Sequence, residues 1–183
     1  DIGPGLGSHA AYSRYGFKSL YCGLEAYPPS YQVQRNFFRS LSSNDALYVD
    51  FVTSEIFGKN DSDIWKNFKD SKEGILHIPS WKFPMIDDNY FDLITATWVF
   101  NEVNTAGILW LVSNCIRTLK TGGYLYIRDS HKLKPGRHNI NYDSLLQNIG
   151  FKEVGRLQVE NRVDFYGIPR IYRKSENIRK QNF

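Results

Sequence analysis

The residues able to bind a ligand or react fall into four groups. The first is Asp1-Ile2-Gly3-Pro4-Gly5-Leu6-Gly7, an acidic residue followed by glycines at every second position. Glycine lets a backbone turn tightly and approach a ligand with no Cβ in the way. A dinucleotide-binding turn, G-x-G-x-x-G, would want its third glycine where Ser8 stands; here it comes one residue early, at Gly7. The second is Glu25, whose carboxylate at a strand end can accept hydrogen bonds from both hydroxyls of a ribose. The third is Trp98, Asn101 and Glu102; Asn101-Glu102 also suits the cap of a following helix. The fourth is Asp129, Ser130 and His131. A hydroxyl nucleophile needs a general base, a role that histidine as a residue type suits at neutral pH, which makes His131 a candidate, with Asp129 and Glu102 as further candidates. Around His131 run Arg128, Lys132, Lys134, Arg137 and His138, either a solvated face or a dock for phosphate or carboxylate. Asp87-Asp88 precedes Asn89 in what reads as a turn, and no metal-ligand set is expected.

Short apolar strands alternating with helical stretches must position these groups, the pattern of a doubly wound α/β sheet. Asp1-Ile2 reads as the end of a strand. Ser8 is placed to cap a helix running to about Tyr15, with Gly16 in the left-handed position that closes it. Strands are expected at Ser19 to Glu25, Gly74 to Ile78, Phe91 to Thr97 and Tyr124 to Arg128. Helices are expected from Tyr31, after the Pro28-Pro29 break, to Leu41, and through Ile108 to Leu119, stopping at Thr121-Gly122-Gly123. A short helix from Asn141 to Ile149 closes at Gly150. Two β-rich runs, 151–159 and 163–172, suit an antiparallel hairpin. Between Ser42 and Glu73, Leu47, Phe51, Ile56 and Trp65 suggest additional helices. This order puts both the glycine turn and Glu25 at the carboxyl edge of the sheet, where open α/β sheets bind ligands.

With 183 residues, 42% hydrophobic and 15% aromatic, the chain can bury a substantial core. No apolar run approaches the roughly 18 residues of a membrane span. Cys22 and Cys115 have no partner at metal or CxxC spacing, so free buried thiols and a cytoplasmic location are expected. A net charge of +4 permits an anionic substrate without demanding one. The chain opens at Asp1 without an initiator Met, and a buried parallel strand needs about four more apolar residues. An apolar run directly before Asp1 is therefore expected. Residues 1–174 read as one ligand-binding domain and 175–183 as a basic tail.

DIGPGLG, Glu25, FDLITATWVFNEV from Phe91, LKTGGYLYIRD from Leu119 and LLQNIGFKEV from Leu145 together resemble the class I S-adenosylmethionine (SAM)-dependent methyltransferase family, over essentially the whole chain. The resemblance implies a Rossmann-like sheet, mostly parallel with an antiparallel C-terminal hairpin strand. It implies that Asp1, Gly3, Gly5 and Gly7 contact the methionine portion of SAM and that Glu25 binds the ribose. The resemblance also implies an adenine contact just after the Gly74–Ile78 strand, where many relatives place an acidic residue and then a small apolar one. This chain has Pro79-Ser80-Trp81 instead. Ser80 or a backbone carbonyl would have to accept the adenine amino group, and Trp81 would stack on the ring or pack in the core. Thr97 completes the cofactor set; Trp98, Arg128, Lys132 and Arg137 form the acceptor-binding set. ILHIPSWKFP, Trp98 to Glu102 and GGYLYIRD also resemble a bacterial group of sugar O-methyltransferases.

The expected activity is thus methyl transfer from SAM to a hydroxyl on a small molecule or a sugar or glycan precursor. Such transfer mainly requires aligning the acceptor and excluding water. A nucleic-acid methyltransferase is the rival enzyme, encouraged by a pI near 9.0. Amino-methylating members carry Asn/Asp-Pro-Pro-aromatic after the fourth strand, where this chain has Thr97-Trp98-Val99-Phe100. A non-catalytic binding module on the same fold is the rival from another class; the intact glycine turn and Glu25 speak against it.

Overall fold

The computed structural model describes residues 1–42, 47–129, 141–157 and 167–176, in two compact units, Asp1–Ile86 and Asp87–Phe183. In the first, strands β1 (Leu20–Glu25), β2 (Leu47–Asp50) and β3 (Gly74–Pro79) form a parallel sheet in the order β1-β3-β2. β3 is buried at every position and β1 from its second residue on, the continuous apolar run of a parallel strand covered on both faces. Ile2 adds one parallel bridge to Leu24 on the outer side of β1. The Gly3 amide donates to the Leu24 carbonyl at 2.8 Å and the Leu24 amide to the Asp1 carbonyl at 2.9 Å, so the chain start lies along β1.

Helix α1 (Ser8–Ala11) passes into a π-helical stretch, Tyr12–Phe17. The expected Ser8 cap and Gly16 terminus are both corrected here. Gly7 occupies the cap position with φ 83, and the left-handed residue beyond the helix is Lys18, φ 48, because the wider π turn carries the chain two residues past Gly16. Helix α2 (Pro28–Leu41) begins at the prolines rather than after them. Proline has no amide to lose in a first helical turn and its φ already suits one. Tyr31, Gln34, Phe38 and Leu41 form the buried stripe of α2 at helical spacing. Phe38 and Leu41 pack with Ala10, Tyr21 and Ile75. Between α2 and β3 lie helices α3 (Phe51–Ile56) and α4 (Asp61–Lys69), capped by Asp50 and Asn60. The expectation of additional helices there holds, but strand β2 was not foreseen: at four residues, only Asp50 of them fully buried, it has too little pattern to read.

In the second unit, β4 (Phe91–Thr97), β5 (Leu119–Arg128), β6 (Phe151–Arg156) and β7 (Arg170–Lys174) form a sheet in the order β4-β5-β7-β6. β4 and β5 are parallel, and β7 runs antiparallel to both β5 and β6. The C-terminal pair is thus the expected antiparallel arrangement. Helix α5 (Thr105–Thr118) ends three residues before Thr121, short of the expected Thr121-Gly122-Gly123 stop, and β5 starts directly at Leu119. Gly122, at φ 79, lies in the register shift by which Phe91 opposes Leu119 but Leu93 opposes Tyr124. Helix α6 (Tyr142–Asn148) is capped by Asn141 and followed by Gly150 at φ 107. Asp88 pairs with Arg117 at 2.8 Å and Asn89 takes φ 52, so Asp87-Asp88-Asn89 is a turn tied to α5.

Lys174 is an unforeseen buried charge. Its Nζ donates to the Ile116 and Leu119 carbonyls at 2.6 and 2.5 Å and to Asn89 Oδ1 at 3.1 Å. These bonds satisfy carbonyls at the α5 C-terminus, where a cation is favoured. Lys174→Met keeps the stem and removes all three donors. We expect a loss of about 1–3 kcal/mol in urea-unfolding free energy, the range for orphaned buried acceptors.

Candidate active site

Strand register lines up the candidates of the first unit. Ile2 bridges Leu24, and Glu25 is level with Pro79 across β1 and β3. Gly3, Glu25 and Ser80 therefore stand at three neighbouring strand ends on one carboxyl edge. Gly3, Gly5 and Gly7 take φ of 62, 58 and 83, so every second residue of the turn is left-handed. That alternation explains why the glycines recur at a spacing of two, since any L residue resists this conformation.

The Asp1 carboxylate faces inward: Oδ2 accepts from the Tyr21 hydroxyl at 2.7 Å and lies 3.0 Å from His9 Nδ1. Glu25 is 8% exposed. Its Oε1 accepts from the Ala26 and Tyr27 amides, both at 2.9 Å, and its Oε2 accepts from Gln34 Nε2 at 2.7 Å. Ser80 is half-buried at the start of a 3-10 turn, Ser80–Met85, and Trp81 beside it is 61% exposed. The core-packing alternative for Trp81 falls; its ring is open to a ligand.

The second unit holds its own candidates. Thr97 is level with Arg128, and the Trp98 amide donates to the Arg128 carbonyl at 2.9 Å. Trp98 takes φ 63, a left-handed conformation that costs a bulky residue about 1–3 kcal/mol and concentrates at functional sites. Asp129, just past β5, is 1% exposed and accepts from the Phe100 amide at 3.0 Å through Oδ2. Glu102 is exposed. The cap of α5 is Asn104, which accepts from the Gly107 amide at 2.9 Å, so the Asn101-Glu102 capping expectation is corrected by two residues. His131, Lys132 and Arg137 lie outside the described residues, as do Ser130, Lys134 and His138. Among the described residues no helix is long and apolar enough to cross a membrane, and no group of three His, Cys, Asp or Glu side chains could hold a metal ion. Cys22 and Cys115 are free and buried.

No protein-family model and no curated protein matches the chain. Solved structures do. A SAM dependent methyltransferase from Aquifex aeolicus aligns with TM-score 0.55 at 16% identity, over 94% of this chain and 79% of that one. A TehB-like SAM-dependent methyltransferase from Corynebacterium glutamicum aligns with TM-score 0.58 at 16% identity, over 96% of this chain and 78% of that one. P. horikoshii TYW2, in complex with MeSAdo, aligns with TM-score 0.52 at 12% identity, over 94% of this chain and 55% of that one. The chain has the class I methyltransferase fold.

Within this methyltransferase fold the described candidates differ sharply in electrostatics. Burial pushes the Asp129 carboxyl up to about 7, against the opposing pull of backbone amides at Phe100, Asn101 and Val99; nearby Glu102 pushes it further the same way. Its pKa is higher folded than unfolded, so the native state holds the extra proton between about pH 4 and 7. Stability therefore declines as pH rises through that window. Asp129→Asn removes the titration. We expect its melting temperature, relative to wild type, to gain several degrees between pH 4.5 and 8; an equal offset at both pH values would refute the buried titration.

Gln34 and His77, which the sequence reading did not single out, complete the buried side of the site. Both are fully buried. Each had a legible signal: Gln34 is a polar residue on the otherwise apolar stripe of α2, and His77 sits within the apolar run of β3. Buried polar side chains at such positions must find partners. His9 and Tyr21, which hold Asp1, were also missed, because their spacing from Asp1 has meaning only once β1 lies beside it.

Proposed function

We propose that the chain is a SAM-dependent methyltransferase that O-methylates a hydroxyl on a small molecule or on a sugar or glycan precursor. One observation carries this reading: a turn of three left-handed glycines and a buried strand-end carboxylate share one sheet edge in register. The residues fit the cofactor. Among the described residues Glu25 Oε2 accepts one hydrogen bond, leaving acceptor capacity for a ribose hydroxyl. The glycines remove side chains from the turn. Ser80 offers a hydroxyl and Trp81 an open ring for an adenine, while Asp1 with Gly3, Gly5 and Gly7 would hold the methionine portion. Thr97, the last residue of β4, joins this cofactor set on the family resemblance alone. When bound, SAM supplies a methyl group already activated by its sulfonium.

The acceptor would be held by Trp98, Arg128, Lys132 and Arg137, with the basic residues suited to an anionic substrate. Its proton would pass to His131, Asp129 or Glu102. A carboxyl poised near 7 makes Asp129 chemically apt, whereas its bond to the Phe100 amide also gives it the work of holding the Trp98 turn. The likeness of ILHIPSWKFP and GGYLYIRD to sugar O-methyltransferases supports a sugar acceptor. The test is calorimetric titration of SAM into the purified protein, then transfer of labelled methyl to nucleotide sugars, small phenols and RNA. Binding with transfer to a hydroxyl compound is expected. A folded protein that binds no SAM would be a non-catalytic module, and label appearing only in RNA would move the substrate to nucleic acid.

A further inference from the structure

We propose that Gln34 is a positioning residue, whose single buried carboxamide sets both the glycine turn and the Glu25 carboxylate, with His77 holding the oxygen end of that carboxamide. The inference rests on the cofactor reading above and extends it to a residue on α2, outside the turn and strand ends.

Gln34 Nε2 donates to the Gly5 carbonyl at 2.9 Å and to Glu25 Oε2 at 2.7 Å. Both partners are acceptors only, so the amide nitrogen must face them and spends both its protons there. Gln34 Oε1 then faces His77 Nε2 at 3.0 Å, and His77 must be the donor. This assigns the Nε2–H tautomer and leaves Nδ1 a bare acceptor, which has no partner among the described residues. His77 stays neutral because burial lowers its pKa to about 4. Its ring is clamped from two sides, stacked on Tyr31 with centroids 3.7 Å apart and edge-on to Phe38 at 4.9 Å. The Tyr31 hydroxyl donates to the His77 carbonyl at 2.9 Å. An imidazole so held cannot swing away, and a flipped Gln34 amide would set its NH2 against the His77 N–H while its oxygen met the Gly5 carbonyl and the Glu25 carboxylate. One orientation survives. A Cβ at Gly5 would meet nothing within 4 Å, and the Gln34 side chain ties the Gly5 carbonyl in the middle of the turn to α2.

The experiment uses Gln34→Met, Gln34→Glu and His77→Phe in the whole chain, with two readouts: SAM affinity by calorimetry and amide exchange by NMR. Gln34→Met keeps the volume and removes the donors. Its SAM affinity should fall about ten- to a hundredfold, the worth of one charge-assisted bond. Exchange should quicken at Gly7, Ala26 and Tyr27 while the β3 amides keep their protection. His77→Phe preserves the stack on Tyr31 and should show a smaller loss of the same kind. Gln34→Glu sets two carboxyls together; at neutral pH its affinity should be lowest of all. Acidification should narrow that deficit as the new carboxyl gains a proton to donate to Glu25, a pH response that a packing role would not produce. Wild-type affinity together with wild-type exchange in Gln34→Met would overturn the proposal, as would quickened exchange spread evenly over β3 and the turn. If the wild-type protein binds no SAM, the cofactor reading falls, and the local exchange pattern alone decides the role of Gln34.

Discussion

Glu25→Ala is expected to weaken SAM binding by about 10²–10⁴-fold with little change in the fold. The proposed ribose contact is two hydrogen bonds to an ionised acceptor, each worth about 1.5–3 kcal/mol. The carboxylate is held for that contact from behind, by the Ala26 and Tyr27 amides and by Gln34. Removing it leaves two exposed amides that water can serve and one buried carboxamide that has lost a partner, so apo stability should drop by about 1–3 kcal/mol. Glu25→Gln separates the two effects. It keeps an acceptor for the backbone amides but presents its own NH2 toward either Gln34 or the ribose, and should fall between wild type and alanine in affinity. Calorimetry on folded protein reads the result, and unchanged affinity in Glu25→Ala would defeat the ribose assignment.

Gly7→Ala should be the most damaging small substitution in the turn, lowering unfolding free energy by about 2–5 kcal/mol. Two costs add there. A Cβ at φ 83 meets the ordinary left-handed penalty of about 1–2 kcal/mol. It would also lie 2.5 Å from Phe38 Cε1 and 2.9 Å from Phe37 Cδ1. Phe38 is fully buried against Tyr21 and His77 and has no room to withdraw, so overpacking contributes about 1–3 kcal/mol more. Gly5→Ala is the matched control. Gly5 has φ 58, yet a Cβ there meets nothing within 4 Å, leaving only the conformational cost. Urea unfolding of both variants reads the difference. Equal destabilisation would mean that α2 does not crowd the turn, and that Gly7 is needed for its φ alone.

Much of this protein was determined by local chemistry and could be read directly. The alternation of glycine in the first turn announces repeated left-handed backbone, because only glycine adopts it freely. Phe91–Thr97 and the Asn141-capped α6 followed by Gly150 carry their own strand, cap and terminator signals. Glu25 was legible as the carboxylate that ends an apolar strand, and the order of elements placed it on the same sheet edge as the glycine turn. Local pattern was silent where packing between distant segments decides. β2 exists because β3 offers it a parallel partner, with Leu47 level with Gly74, and four residues hold no periodicity of their own. The exposure of Trp81, the inward turn of Asp129 toward the Phe100 amide and the left-handed backbone of Trp98 depend on which strand ends lie side by side. So does the Gln34–His77 pair, 43 residues apart, which meets only after α2 packs on β3. A hydrogen bond between side chains that far apart leaves no trace in spacing; it leaves only a polar residue where the pattern asks for an apolar one, and the tertiary structure supplies its partner.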